Sequence, residues 1–162
     1  MLFSSREELK RFKEQASQHP AVAGMKLLFE GDREISGLIS EFQNEERSVL
    51  CSVSLWEGLD VPGPSLSNVI VWSLPWPPKD PVYNAKRKVS ESPFEEVDLP
   101  YMLLRLKQGA GRLIRSGEDR GIVSLLDCSW DGDAVLEQKI REALPEGVEW
   151  KVTWDETLIQ YA

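Results

Sequence analysis

Short apolar runs that alternate with segments of helical periodicity constrain the fold of this 162-residue sequence most strongly. The run 69–74 is nearly all apolar, which is typical of a strand covered on both faces. Between such runs, apolar residues recur at helical spacing, as at positions 35, 38, 39 and 42. Strands are predicted at 2–3, 25–29, 49–53, 69–74, 121–126 and 148–154, and helices from residue 5 to 16 and at 35–42, 99–115 and 134–144. This order predicts an α/β fold with a mainly parallel sheet flanked by helices.

Length and composition indicate one domain over residues 1–162. The chain has a mass of 18.4 kDa and is 41% apolar, enough to bury a core without disulfides or metals. A proline-rich stretch at 75–78 precedes a polar segment, 79–100, which is predicted to be a long loop or excursion with one short helix. The sequence has no run of about 18 apolar residues and no visible secretory signal, so we expect a cytoplasmic protein with no membrane partner.

Cysteine and histidine are too scarce to favour thiol, imidazole or metal chemistry. Cys51 and Cys128 are too few for a disulfide framework or a zinc site, and both adjoin apolar runs, so buried reduced thiols are expected. His19 lies in a polar segment before a proline and is expected at the surface. We therefore predict no metal site and disfavour a Ser-His or Cys-His nucleophile.

The charge balance argues against nucleic-acid binding through bulk charge. The formal net charge is −8, and a strongly acidic chain gains little from long-range attraction to phosphates. Basic residues nevertheless gather near 101–120, where two acidic residues accompany them: Arg105, Lys107, Arg112, Arg115 and Arg120, with Glu118 and Asp119. A solvated helix face and an anion-binding surface both account for this cluster.

The segment 52–63 follows a predicted buried strand and therefore lies at the carboxyl edge of the sheet, where open α/β sheets bind ligands. Gly58 lets the backbone approach a ligand closely, and Asp60 can accept a hydrogen bond from a ribose hydroxyl. A plain turn in which Trp56 serves for packing is the alternative.

The segment 108–115 places glycines inside an otherwise helical pattern. Gly109 and Gly111 each cost roughly 1 kcal/mol relative to alanine in a helix, which indicates a need for close packing or close approach. Arg112 and Arg115 are three residues apart and would share a helix face with Gln108. Two adjacent guanidinium groups suit the oxygens of a polyphosphate, although surface arginines on a helix remain the alternative.

These segments together resemble a known family. LWEGLDVPG, VIVWSLPWPPKDP and RLKQGAGRLIRSGEDRGIVSLLD occur in the order found in the second motor domain of the DinG/XPD branch of superfamily 2 helicases. The opening LFSS resembles helicase motif IV, residues 52–60 resemble motif V, and residues 108–115 resemble motif VI. Leu55 departs from the aromatic residue usual before Trp-Glu-Gly, and Ser129 stands where an arginine is common. The resemblance implies a RecA-like, three-layer domain.

The resemblance also implies roles for individual residues. ATP, with Mg²⁺, would be held between this domain and a first motor domain. Arg115 would be the arginine finger, with Arg112 and Gln108 beside it. The implied nucleotide contacts are Glu57, Gly58 and Asp60, and the implied contacts to single-stranded DNA are Ser4, Ser5 and Ser52. Hydroxyls can hold phosphates without a large positive charge. An iron–sulfur cluster, if the parent has one, would lie in the first domain.

The resulting hypothesis is a C-terminal motor domain of an ATP-dependent DNA helicase involved in DNA repair. The chain contains no Gly-x-x-x-x-Gly-Lys-Ser/Thr loop, so we expect it to bind no cofactor and to be inactive when isolated. A stand-alone RecA-like binding or regulatory module without catalysis is an alternative. A small α/β enzyme with its own nucleotide pocket is another.

Overall fold

The computed structural model describes residues 1–16, 19–56, 66–113, 121–127, 129–130, 132–145 and 148–151. The strands are β1 (Lys26–Phe29), β2 (Ser48–Cys51), β3 (Asn68–Val71) and β4 (Ile122–Leu125). The α-helices are α1 (Arg6–Ala16), α2 (Ile35–Asn44), α3 (Pro81–Val89), α4 (Leu99–Ala110) and α5 (Ala134–Ala143). A short 3₁₀ turn (Pro20–Val22) precedes β1, and a π-type turn (Phe94–Asp98) leads into α4. None of the described helices combines the length and apolar character needed to cross a bilayer.

All described strand pairings are parallel, as the alternating pattern predicts. β1 pairs with β2, and β3 pairs with β4. Leu2 lies between the two pairs, opposite both Ser52 and Val71. Its amide donates to Ile70 O at 2.7 Å, while the next amide, from Phe3, donates to Ser52 O at 2.9 Å. The spatial order is therefore β1, β2, the Leu2 segment, β3 and β4.

Alternate residues of the strands supply two separate cores, because successive side chains of a strand point to opposite faces. One cluster includes Leu2, Leu28 and Leu50, and it is covered by residues of α2, α4 and α5. Their neighbours Phe3, Phe29 and Cys51 form the other cluster, which α1 covers through Leu9. Helices thus pack on both sides of the sheet, which confirms the predicted three-layer α/β class.

Three of the described helices, α1, α3 and α5, begin at side chains that accept hydrogen bonds from their free amides. At α1, Ser5 Oγ accepts from the Glu8 amide at 3.2 Å and Glu8 accepts from the Ser5 amide at 3.1 Å, the reciprocal capping box that Ser-x-x-Glu predicts. Asp80 caps α3 by accepting from the Tyr83 amide at 2.9 Å. This helix lies within the predicted excursion 79–100 and buries none of its residues.

The helix predicted over 99–115 ends earlier, at Ala110. The amide of Gly111 turns back to Lys107 O at 2.9 Å, and the Arg112 amide donates to Gly109 O at 3.3 Å, so the chain tightens into a turn. Arg112 therefore follows the helix, so its predicted place on a face of this helix is wrong, and Arg115 lies outside the described residues.

The strand predicted over 148–154 is also wrong for its described part, since residues 148–151 form no strand. Trp150 instead packs against Trp130, with ring centroids 6.0 Å apart. The guanidinium of Arg141 lies 4.9 Å from the Trp150 ring centroid. Contacts with α5 and the preceding loop thus replace pairing in the sheet.

Candidate functional site

A serine cluster lies where the Leu2 segment and β3 end. Ser4 Oγ donates to Glu8 Oε2 at 2.9 Å, and Ser73 Oγ donates to the same oxygen at 3.0 Å. The two serine hydroxyl oxygens are 2.5 Å apart. Ser5 serves as the cap of α1. Two of the predicted DNA-contacting hydroxyls, those of Ser4 and Ser5, thus lie at one edge of the sheet and are already hydrogen-bonded within the domain.

The third predicted hydroxyl, that of Ser52, is one of three donors that bind the Glu30 carboxylate at the end of β2. Ser52 is 1% exposed, and its Oγ donates to Glu30 while accepting from the Leu55 amide at 3.0 Å. Glu30 Oε2 also accepts from the amides of Val53 and Ser54, at 2.8 and 2.9 Å. Burial acts to raise the pKa of Glu30, but the bonds from Ser52, Ser54 and Val53 outweigh it and hold the pKa below its usual value.

Sequence reasoning missed the carboxylates that organise this edge. Glu8 is detectable through the capping pattern, but nothing in the sequence links Glu30 to Ser52, 22 residues away. Asp127 is a third case, since it accepts from the amides of Leu74 and Ser129, both at 2.8 Å. Each carboxylate ties the end of one strand to a neighbouring segment.

The described part of motif VI lies at the end of α4. Arg112 is half-buried and lines a cavity of about 190 Å³ together with Ser52, Leu55, Asn68 and Gly109. The structure therefore brings Arg112 and Ser52, two predicted site residues, to one cavity. Gln108 is half-buried, and its side-chain oxygen is fully buried without a hydrogen-bond partner in the described part of the chain.

Two residues of α4 explain the local shape of this region. A Cβ built on Gly109 would lie 3.0 Å from Trp56 Cε3 and 3.1 Å from Leu2 Cδ1, so close packing accounts for this glycine. Arg105, part of the basic cluster, lies 5.6 Å from the Trp56 ring centroid and donates to the Tyr101 hydroxyl at 2.7 Å. Arg105 is therefore not part of a fully solvated helix face.

The remaining predicted site residues lie outside the described residues. These are the proposed arginine finger, Arg115, and the three predicted nucleotide contacts, Glu57, Gly58 and Asp60. Cys128 lies outside them as well. Cys51 is buried, as expected, and burial raises the pKa of its thiol to about 11. Over the described ranges, no group of three His, Cys, Asp or Glu side chains could hold a metal ion.

Comparison with known proteins gives the family. Residues 1–147 match the family described as "Helicase C-terminal domain". The chain is 51% identical over 146 residues to "Probable ATP-dependent helicase YpvA" of Bacillus subtilis, a match that covers 90% of this chain and 22% of the relative. It is 38% identical over 118 residues to "ATP-dependent DNA helicase YoaA" of Escherichia coli, covering 69% of this chain and 19% of the relative.

A further relative in Bacillus subtilis has a different name. The protein called "3'-5' exonuclease DinG" is 34% identical over 138 residues, covering 78% of this chain and 14% of that protein. The chain thus spans at most about a fifth of the length of these relatives, and their names describe much longer proteins. The match over 147 of its residues nevertheless shows that the chain belongs to the helicase C-terminal domain family of DinG-type proteins.

Proposed function

We propose that this chain is the C-terminal motor domain of an ATP-dependent DNA helicase. The observation that carries the proposal is the position of Arg112, which lines a cavity together with Ser52 in a chain of this family. ATP with its Mg²⁺ would be the substrate, held between this domain and a first motor domain of the same protein. The proposal places the protein in the cytoplasm and in DNA repair, and places any iron–sulfur cluster of the parent in the first domain.

Arg115, Arg112 and Gln108 would serve the chemical step. Guanidinium groups form bidentate hydrogen bonds to phosphate oxygens, and an arginine finger stabilises charge that develops on the transferring phosphoryl group. Arg115 takes this role, because the resemblance assigns it to the finger position of motif VI. Gln108 Oε1 is buried and has no hydrogen-bond partner among the described residues, which supports a role for this side chain in a contact outside them.

Glu57, Gly58 and Asp60 would contact the nucleotide from the segment after β2. A glycine at position 58 permits close approach of the backbone, and a carboxylate at 60 accepts from ribose hydroxyls. Gln108, Arg112 and Arg115 would meet the phosphates from the other side of the cavity. The two segments together would make this domain's half of the nucleotide site.

Ser4, Ser5 and Ser52 would form part of the single-stranded DNA track. Their hydroxyls are held by Glu8 or by the cap of α1, or are buried against Glu30. Ser4 and Ser52 donate to carboxylates, so a phosphate contact by either hydroxyl requires a phosphate oxygen to replace the carboxylate oxygen, whereas Ser5 Oγ only accepts from an amide. Closure of the two motor domains on ATP and reopening after hydrolysis would drive that exchange along the strand.

An experiment on the parent activity tests the proposal. In a chimera, this chain replaces the matching segment of the Bacillus subtilis YpvA helicase, and ATP turnover is measured with single-stranded DNA. Arg115→Ala should lower kcat by about 10³ to 10⁵ while changing KM for ATP much less. Arg11→Ala, at a surface ion pair of α1, is the matched control and should leave turnover unchanged.

The outcomes separate the proposal from its rivals. A loss confined to KM would assign Arg115 to binding rather than catalysis and overturn its role as the finger. A folded chimera without any ATP turnover would contradict the motor assignment and favour a regulatory module without catalysis. Micromolar ATP binding by the isolated chain, measured by calorimetry, would favour the independent nucleotide enzyme.

A further inference from the structure

Helix α1 separates its charges by face. Arg6, Lys10 and Lys13 recur at i, i+4 and i+7 and so share one side of the helix. The opposite side carries Glu7 and Arg11, which pair with each other at 2.6 Å. Three cations thus line one side of the helix, with exposed Glu14 beside Lys10, while Glu7 and Arg11 neutralise each other.

The basic face borders a groove against the carboxyl end of β1. This groove, which we call the α1 groove, has a volume of about 190 Å³, with Arg6, Lys10 and Lys13 on one wall. The facing wall consists of Phe29, Glu30 and Gly31. Lys13 Nζ lies 5.2 Å from the Phe29 ring centroid and also pairs with Asp32, so one cation is fixed in place at the groove.

The two acidic side chains near the groove are bonded to groups other than Arg6 and Lys10. Glu30 uses Oε2 to accept from Ser52, Val53 and Ser54, and Asp32 pairs with Lys13. No carboxylate among the described residues forms an ion pair with Arg6 or Lys10. Arg6 and Lys10 are therefore two exposed cations without an ion pair among the described residues, on a chain whose net charge is −8.

We propose that the α1 groove binds a phosphate of a single-stranded nucleic-acid backbone. This inference rests on the proposed function and extends its DNA track to residues that the helicase motifs do not assign. Ser4, Ser5 and Ser73 lie together at one edge of the sheet, which we call the serine edge. α1 begins directly after Ser4 and Ser5, so the groove lies next to the serine edge along the chain. Side chains four residues apart on a helix have Cβ atoms about 5–6 Å apart, so Arg6 and Lys10 can contact one phosphate group together.

The position of the groove favours a backbone phosphate over a free nucleotide. Phe29 and Leu9 belong to the core cluster under α1, whereas Leu55, which lines the Arg112 cavity, belongs to the cluster on the other face of the sheet. The α1 groove and the cavity that carries Arg112 therefore lie on opposite faces. A nucleotide bound beside Arg112 would not reach Arg6 or Lys10, but a strand that follows the serine edge would.

Salt-dependent DNA binding by the full chain tests the proposal. Binding to a fluorescent oligothymidylate is measured by anisotropy between about 20 and 200 mM salt. The logarithm of the binding constant falls linearly with the logarithm of the salt concentration, and for single strands each phosphate contact adds about 0.7 to the steepness of this slope. Lys10→Ala and Arg6→Ala should each weaken binding about threefold to tenfold at low salt and reduce the slope by about 0.7. Arg11→Ala, which removes a cation of the same helix from the other face, should change neither value. Thermal unfolding of each variant confirms that the domain stays folded.

Three results would overturn the proposal. Equal losses of DNA affinity for Lys10→Ala and Arg11→Ala would show that only overall charge matters. If the unmodified chain does not bind the oligothymidylate at low salt, the groove is not a DNA site. Displacement of the oligothymidylate by ATP or inorganic phosphate, with Lys10→Ala weakening both equally, would assign the groove to free phosphate instead. The chimera's ATP turnover distinguishes failure of the groove proposal from failure of the proposed function. If the chimera hydrolyses ATP but Arg6→Ala and Lys10→Ala leave the salt dependence of DNA binding unchanged, only the groove proposal is refuted.

Discussion

At the scale of residues, three carboxylates organise the carboxyl edge of the sheet. Glu8, Glu30 and Asp127 each accept two or three hydrogen bonds from hydroxyls or amides at strand ends. A carboxylate and a phosphate accept from the same donors, so these bonds preserve donor geometry that a nucleic-acid backbone can use. The edge is therefore organised by the domain's own side chains.

Glu30 should make the stability of the domain depend on acid pH. Its pKa is lowered from 4.5 in the folded state, so its contribution is fully present above the unfolded value and is lost as pH falls through the folded value. Glu30→Gln should cost about 1 kcal/mol of unfolding free energy at neutral pH, discounted because the carboxylate is partly exposed.

Urea unfolding between about pH 7 and pH 3 measures this dependence, and the difference between Glu30→Gln and the unmodified chain should shrink towards zero at the acid end. Glu14→Gln, at an exposed position of α1, is the control. A difference that stays constant across this range would show that charge on Glu30 does not matter.

At the scale of elements, two glycines inside helices separate the effect of close packing on stability from the effect of helix propensity. Gly109 in α4 faces Trp56, which is fully buried and donates from Nε1 to Phe3 O at 2.9 Å, so its ring has little freedom to move. Gly37 in α2 has open space where a Cβ would be. Two alanine substitutions of the same kind should therefore act in opposite directions.

Gly37→Ala should raise the unfolding free energy by about 0.5–1 kcal/mol through helix propensity alone. Gly109→Ala should lower it by about 1 kcal/mol, because overpacking of about 1–3 kcal/mol exceeds the same gain. Denaturant unfolding of both variants measures the contrast. Stabilisation by both substitutions would show that Trp56 and Leu2 move aside at little cost.

The elements also show what sequence alone can predict. The capping box of Ser5 is a local signal, because it follows from spacing along one helix. A glycine inside a helical pattern at 109 indicated close packing, but its partners Trp56 and Leu2 are distant in sequence and could not be read from it. The strands were predictable from apolar runs, since burial on a sheet leaves a short-range pattern. The end of α4 was not, because Gly111 closes a turn where the apolar pattern of a helix continues.

The candidate site was predictable only in part. Residue type and spacing pointed to Gln108 and Arg112, and the family resemblance pointed to the serines, but the sequence could not show that Ser52 is buried or that Glu30 accepts its hydrogen bond. That contact joins residues 22 positions apart and exists only once β1 and β2 pair. The roles of Arg115, Glu57, Gly58 and Asp60 stay predictions, since these residues lie outside the described part of the chain.

At the scale of the whole molecule, the Leu2 segment joins the two sides of the proposed function. Leu2 bridges β2 and β3, and its neighbours Ser4 and Ser5 begin α1. Leu2 also lines the cavity that Arg112 reaches, while α1 carries the basic groove on the opposite face. The segment that would hold DNA is thus in direct contact with the wall of the cavity that would meet ATP phosphates.

Under the proposed function this domain supplies only half of a nucleotide site, so the isolated chain should hydrolyse no ATP. The sequence offers arginines for the phosphates but no Gly-x-x-x-x-Gly-Lys-Ser/Thr loop whose amides and lysine would hold them. Phosphate release by the purified chain, with and without single-stranded DNA, should therefore equal the rate without protein, while the chimera with the first motor domain turns over. The Arg115→Ala form of the isolated chain controls for a contaminating ATPase, because contamination would leave its rate the same as that of the unmodified chain. DNA-stimulated turnover that Arg115→Ala abolishes would show that this domain completes a nucleotide site by itself, and the two-domain mechanism would fail.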